Sequence, residues 1–223
     1  MEKVTKILEL AEQGIPQALA RFNDGEVGIM FNKDFVAARG DQKGSIELQI
    51  ALRDAICHEQ ENYWKGYPCP VCMKKQYYQI IDAGYYNTEY EYNTFAVVNT
   101  NRNLDCFQEG LQQALNGKQV IWVSGSDQKL IPLRFNIVEH VLVPLKNAWQ
   151  EYNKTIQTCQ EFFMPNRVFL FSCGPMARVL VKNLFQIRPD CTFLDIGSTY
   201  DSITRDIWHR CHLKTLKECK GCN

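Results

Sequence analysis

From residue 94 onward the chain alternates short apolar runs with amphipathic helical patterns, a rhythm that few architectures accept. The runs fall at 94–99, 119–124, 140–144, 167–172 and 191–196. Between them, one helical stretch carries Leu104, Phe107, Leu111 and Leu115 on a face, with Gly117 beyond its end. A second carries Trp149, Tyr152, Ile156, Cys159 and Phe163, and a third Met176, Val179, Leu180 and Leu184. Strands that are apolar throughout, without alternation, are covered on both faces, and intervening helices make them parallel. The expectation is an α/β fold: a Rossmann-like, mostly parallel sheet with helices on both faces, in a single domain.

The first half is less regular. Residues 3–13 read as an amphipathic helix ended by Gly14 and Pro16. Ala18 to Phe22 is a short apolar run leading into Asn23-Asp24-Gly25, a turn signal. Leu48, Ala51, Leu52, Ala55 and Ile56 mark a further helix. The Tyr- and Asn-rich stretch 61–93 reads as a long loop holding one helix. No repeat or linker interrupts the chain. The organisation expected is a domain over 1–206 with a Cys-containing insertion near 61–93, then a Cys-rich tail over 207–223.

With 223 residues, a core can form without disulfides or metal to hold it. Lys and Arg number 25 and so do Asp and Glu, so the chain lacks the basic footprint of a non-specific nucleic-acid binder. Hydrophobic content of 45% excludes a disordered chain. The longest apolar runs, 120–123 and 141–145, are too short to span a bilayer. Met1 to Thr5 shows no secretory signal, so the expected compartment is the cytoplasm.

Ten cysteines then read as reduced thiols. Cys57, Cys159 and Cys191 sit at apolar-periodic positions, where Cys packs as a small hydrophobe. Cys69-Pro70-Val71-Cys72 and Cys219-Lys220-Gly221-Cys222 have the spacing by which two thiolates grip one metal. Together they would form a structural Zn²⁺ site tying a mid-chain loop to the C-terminus; the alternative is four reduced thiols. A redox role is disfavoured because neither pair reads as opening a helix after a strand.

In a parallel sheet, ligands bind outside the carboxyl ends of the strands. Three such ends carry small or polar residues: Ser124-Gly125-Ser126-Asp127, Ser172-Cys173-Gly174-Pro175 and Asp195-Ile196-Gly197-Ser198. Gly174 permits close backbone approach, Pro175 suits the first position of a helix, and a helix N-terminus suits phosphate. Each alone is ordinary turn chemistry; in series they point to a nucleotide or another phosphorylated ligand. Upstream lies Arg21-Phe22-Asn23-Asp24-Gly25-Glu26. If extended, it aims two carboxylates toward one side, where Asp24 and Glu26 would share Mg²⁺ or Mn²⁺ with a diphosphate. Arg21 would add a charge-assisted phosphate contact. The alternative is a solvated turn carrying a surface salt bridge.

The order of these motifs resembles the GT-D-fold glycosyltransferases, which transfer a sugar from a nucleotide donor in bacterial surface-glycan and adhesin glycosylation. Their Arg-Phe-Gly-Asp-Gly-Glu segment is matched by residues 21–26. Thr100-Asn101-Arg102, Val123-Ser124-Gly125-Ser126 and Pro144-Leu145-Lys146-Asn147-Ala148-Trp149 follow in the family's order. Gly174-Pro175-Met176-Ala177-Arg178-Val179-Leu180 and Asp195-Ile196-Gly197 complete it, so the likeness spans roughly 18–206. The resemblance implies that Asp24-Gly25-Glu26 is the metal-associated D-x-E motif. It also implies a sugar nucleotide lying across Arg21, Phe22, Arg102, Ser124, Gly125, Ser126, Lys129, Asn147, Gly174, Pro175, Asp195, Gly197 and Ser198. Three positions depart: Ser198 stands where the family has His, Asn23 replaces Gly, and Lys129 falls where Arg is usual. The cysteine pairs lie outside the family pattern.

The expected function is transfer of a sugar from a nucleoside-diphosphate donor, a UDP-sugar first, to a glycan or glycoprotein acceptor. Asp24, Asp201 and Asp206 are candidate general bases. The Tyr-rich stretch 77–92 reads as core and surface loop in preference to an acceptor platform. His58, His140, His209 and His212 show no catalytic spacing and read as structural or exposed. Two rivals stand. An S-adenosylmethionine-dependent methyltransferase rests on Phe193-Leu194-Asp195-Ile196-Gly197, weakened by Thr199 where a further glycine is usual. A non-catalytic, zinc-stabilised interaction module rests on the cysteine pairs.

Overall fold

The computed structural model describes residues 2–37, 42–71, 73–95, 104–125 and 133–204. Among them seven strands form one sheet in the order β3-β2-β1-β7-β6-β4-β5, and every neighbouring pair is parallel. In chain order these are β1 (Ala18–Arg21), β2 (Tyr63–Tyr67), β3 (Asn93–Phe95), β4 (Gln119–Gly125), β5 (Asn136–Val143), β6 (Val168–Ser172) and β7 (Thr192–Asp195). The helices are α1 (Glu2–Gln13), α2 (Asp24–Phe31), α3 (Ile46–Cys57), α4 (Lys74–Asp82), α5 (Leu104–Ala114), α6 (Tyr152–Glu161), α7 (Met176–Ile187) and α8 (Asp201–Thr204).

The sheet separates two cores. On one face Ala18, Ala20, Phe169, Phe171 and Phe193 pack with apolar residues of α2, α3, α4, α6 and α7. On the other, Leu19, Trp122, Leu170 and Leu194 pack with Ile7 and Leu10 of α1 and Phe107 and Leu111 of α5. Alternate side chains of one strand enter opposite cores, which is why β6 is buried along its whole length. The expected α/β class, with helices on both faces of a parallel sheet, is what the chain adopts.

Three local expectations are corrected. Residues 61–93 are not a long loop with one helix: they supply β2, α4 and the first residue of β3. Asn23-Asp24-Gly25 is not a free turn, because α2 begins at Asp24, directly after β1. Glu26 accepts a hydrogen bond from the Asn23 N–H at 2.9 Å, which closes the first turn. Cys57 is exposed at the last position of α3, rotated away from the buried Leu48–Leu52–Ile56 stripe, whereas Cys159 and Cys191 are buried as expected.

Cys69 is buried between β2 and α4, so the first cysteine pair does lie between a strand and a helix, contrary to expectation. Cys72, Cys219 and Cys222 lie outside the described residues, as does the tail over 207–223. No helix among the described residues is long and apolar enough to cross a membrane.

Candidate active site at the carboxyl ends of the central strands

The first three strands step outward from β1, and the last two step inward to β7, so the strand order reverses between β1 and β7. A crevice outside the carboxyl ends of such a pair is where open α/β sheets bind ligands. Arg21 and Asp195 are the last residues of those two strands.

Four buried charges meet there. Arg21 Nη2 lies 3.2 Å from Asp195 Oδ1, and the Arg21 N–H donates to Asp195 Oδ2 at 3.3 Å. From α7, Arg178 Nε approaches Asp195 Oδ2 at 3.1 Å, and Arg178 Nη1 approaches Glu26 Oε1 at 3.3 Å. Arg178 also donates to the carbonyls of Arg21 and Gly174. The Gly197 N–H donates to Asp195 Oδ1 at 3.0 Å. The chain of contacts therefore runs Arg21–Asp195–Arg178–Glu26, with two charges of each sign.

Burial sets its electrostatics. It pulls the Arg21 guanidinium below its ordinary pKa, against the attraction of Asp195. It pushes the Glu26 carboxyl up, against the attraction of Arg178. Burial also works against the charge on Arg178, but Asp195 and Glu26 together raise its pKa. Neighbouring Cys173 is held well above the ordinary thiol range, first by burial and then by Asp195, so it is no ready nucleophile.

Two glycines make room for Arg21. Gly66 pairs with it across β1 and β2, and a Cβ there would meet Arg21 Cγ at 3.1 Å. Gly197 has φ of +47° and passes directly beneath the guanidinium. Beside this floor, Gly174 has φ of +66°, is exposed, and a Cβ on it would meet nothing within 4 Å. Pro175 caps the twelve-residue α7, which thus begins directly after the exposed Gly174; the Ala177 N–H returns to the Gly174 carbonyl at 3.0 Å, and a helix start of this kind can hold phosphate on its remaining N–H groups.

The other expected site residues divide. Phe22 is buried in the core beneath α2. Ser124 and Gly125 end β4, and Ser124 Oγ lies 2.6 Å from His140 Nε2 on β5, a contact that spacing in sequence did not signal. Asn147 is left-handed, and its side-chain oxygen accepts from the Lys43 N–H at 2.9 Å. It thereby anchors Lys43, which forms an isolated antiparallel bridge with Val36. Ser198 is partly buried just past Gly197. Arg102, Ser126 and Lys129 lie outside the described residues. Arg178, at the centre of the network, is the residue that sequence reasoning missed.

The expected two-carboxylate clamp for Mg²⁺ or Mn²⁺ needs an extended segment, and this one is helical. Residues two apart on a helix do not face each other. Asp24 is exposed, whereas Glu26 is buried with both carboxylate oxygens engaged. Among the described residues no three His, Cys, Asp or Glu side chains gather as a metal site. Asp24 alone fits a hard cation, as one carboxylate completed by substrate phosphate and water.

The architecture is shared with known glycosyltransferase folds. A solved structure described as "The highly conserved domain of unknown function 1792 has a distinct glycosyltransferase fold" superposes with a TM-score of 0.69 at 17% identity, covering 89% of this chain and 79% of that one. A second, described as "A New Glycosyltransferase (DUF1792) from Streptococcus sanguinis", gives 0.65 at 20% identity, covering 89% and 82%. No family model matches the sequence, and no curated protein matches it. At these identities the likeness is one of fold.

Proposed function

We propose that the chain is a glycosyltransferase that takes a sugar from a nucleoside-diphosphate donor, a UDP-sugar first, and passes it to a hydroxyl of a glycan or glycoprotein. The observation that carries this reading is the Arg21–Asp195–Arg178–Glu26 network at the carboxyl ends of β1 and β7, beside the open approach at Gly174. It stands on a fold shared with one structure described as having a distinct glycosyltransferase fold and with another described as a new glycosyltransferase. The compartment this reading implies is the cytoplasm.

Glycosyl transfer needs a stabilised leaving group and a positioned acceptor. The start of α7, after Gly174 and Pro175, would receive the diphosphate on N–H groups of its first turn other than that of Ala177, which donates to the Gly174 carbonyl. A divalent cation, when bound by Asp24 and the donor's phosphates, would neutralise the departing diphosphate as a Lewis acid. The buried charge network holds α2, β1, β7 and α7 in fixed relation, so that Asp24 and the α7 N-terminus address one ligand. Of the candidate bases, Asp24 is exposed, Asp201 is buried at the start of α8, and Asp206 lies outside the described residues.

The test is a panel of sugar nucleotides with Mn²⁺, scored for donor hydrolysis and for transfer. Turnover of one donor above the rest is the expected result. Protection by S-adenosylmethionine with none by any nucleotide overturns the reading in favour of a methyltransferase.

A further inference from the structure

We propose that Glu26 is a positioning residue and not a cation ligand: it locks Arg178, and through Arg178 the Asp195–Arg21 pair. This leaves Asp24 as the carboxylate of the motif that faces a ligand. The inference builds on the reading above for the part that concerns the cation, and on geometry alone for the part that concerns Arg178.

Arg178 is a junction between four segments. Its guanidinium reaches Glu26 in the first turn of α2, Asp195 at the tip of β7, the Arg21 carbonyl at the tip of β1, and the Gly174 carbonyl at 2.6 Å before α7. It is 4% exposed and is the third residue of α7, between the apolar Ala177 and Val179. Glu26 meets its Nη1 with one oxygen and spends the other on the Asn23 N–H.

A cation drawn onto Glu26 would have to displace that guanidinium. Arg178 would then share the single carboxylate of Asp195 with Arg21, leaving two buried cations on one anion. Breaking a buried pair by removing one partner is strongly unfavourable, because the remaining charge stays out of water. No such cost attaches to Asp24, which is exposed at the first position of α2, where a negative charge also favours the helix dipole.

The same geometry gives the D-x-E spacing two separate roles. A helix turns about 200° between residues two apart, so one carboxylate faces the protein while the other faces solvent.

The experiment uses the full chain and the variants Glu26→Gln, Asp24→Asn, Arg178→Met and the Glu26→Gln/Arg178→Met double. Tm is read by thermal denaturation, and Mn²⁺ affinity in the presence of UDP by electron paramagnetic resonance. Glu26→Gln is expected to lower Tm by roughly 6–12 °C. In the double variant the second substitution should add less than half of its effect alone, because the two residues are coupled. Mn²⁺–UDP affinity should stay within about threefold of wild type in Glu26→Gln and fall on the order of tenfold or more in Asp24→Asn.

A Glu26→Gln protein of unchanged Tm overturns the inference, and so do additive effects in the double variant. A tenfold or greater loss of Mn²⁺ affinity in Glu26→Gln overturns it as well. If Glu26→Gln does not fold at 25 °C, Arg178→Lys supplies the same readout, since a point charge cannot hold both carboxylates and both carbonyls. It should fold with reduced Tm and lose less Mn²⁺–UDP affinity than Asp24→Asn; a loss as large as that of Asp24→Asn overturns the inference. If wild type binds no Mn²⁺–UDP, the cation reading of the previous section fails, while coupling between Glu26 and Arg178 in Tm still supports or overturns the positioning role.

Discussion

The guanidinium of Arg21 occupies the space that a side chain at position 197 would need: a Cβ built on Gly197 would lie 1.9 Å from Arg21 Nη2. Arg21 cannot easily yield, since it is buried and Nη2 is paired with Asp195. Gly197→Ala should therefore incur a left-handed backbone cost of about 1–2 kcal/mol and an overpacking cost of about 1–3 kcal/mol. Gly117→Ala is the control, because φ there is +71° and nothing lies within 4 Å. Urea unfolding should show the larger loss at 197; equal losses would mean that Arg21 moves freely.

Asp195 compensates two guanidiniums at once, so its neutral isostere should be more damaging than that of any surface carboxylate. Asp195→Asn is expected to lose about 3–5 kcal/mol of stability, the usual consequence of stranding buried charge. Asp190 also pairs with an arginine, at 2.7 Å, but both side chains are substantially exposed. Asp190→Asn should leave the unfolding midpoint nearly unchanged. Comparable shifts in the two variants would show that the interior network is well hydrated.

His140 carries a pH prediction whose sign follows from burial. Desolvation holds its imidazole below the ordinary value of 6.5, and Glu139 only partly opposes this. The folded state then binds fewer protons than the unfolded state just below 6.5, so stability rises with pH through that window. His58 shifts the same way, again first by burial. Replacing His140 by Gln should flatten the rise in unfolding free energy below pH 6.5, and an unaltered slope would show that His140 is hydrated.

These contacts also show where the sequence was readable. Val120–Val123 and Val168–Phe171 announce buried parallel strands because every side chain enters one of two cores. Tyr63-Trp64-Lys65-Gly66-Tyr67 is just as buried but hides its strand behind a lysine and a glycine. Their reasons are tertiary: Lys65 lays its ammonium 4.3 Å from the Tyr90 ring, and Gly66 clears space for Arg21. The start of α2 was legible in principle, since Asn23 and Glu26 have capping-box spacing before Val27, Ile29 and Met30. Arg178 was not, because no local pattern distinguishes an inward arginine from a solvated one until strands far apart in sequence bring their carboxylates to it.

The sharpest check on ligand chemistry is Asp24. If Asp24 and the α7 N-terminus address a nucleoside diphosphate, UDP with Mn²⁺ should raise the Tm of the wild-type chain. At a hundredfold excess over Kd the stabilisation is about 2.7 kcal/mol, or roughly 5–10 °C for a chain of this size. Removing the one exposed carboxylate of the motif in Asp24→Asn should abolish most of the Mn²⁺-dependent part while leaving any UDP-only shift in place, since phosphate would still meet the N–H groups after Gly174. Loss of both shifts together would mean that Asp24 shapes the pocket itself, and an undiminished Mn²⁺ effect would place the cation elsewhere.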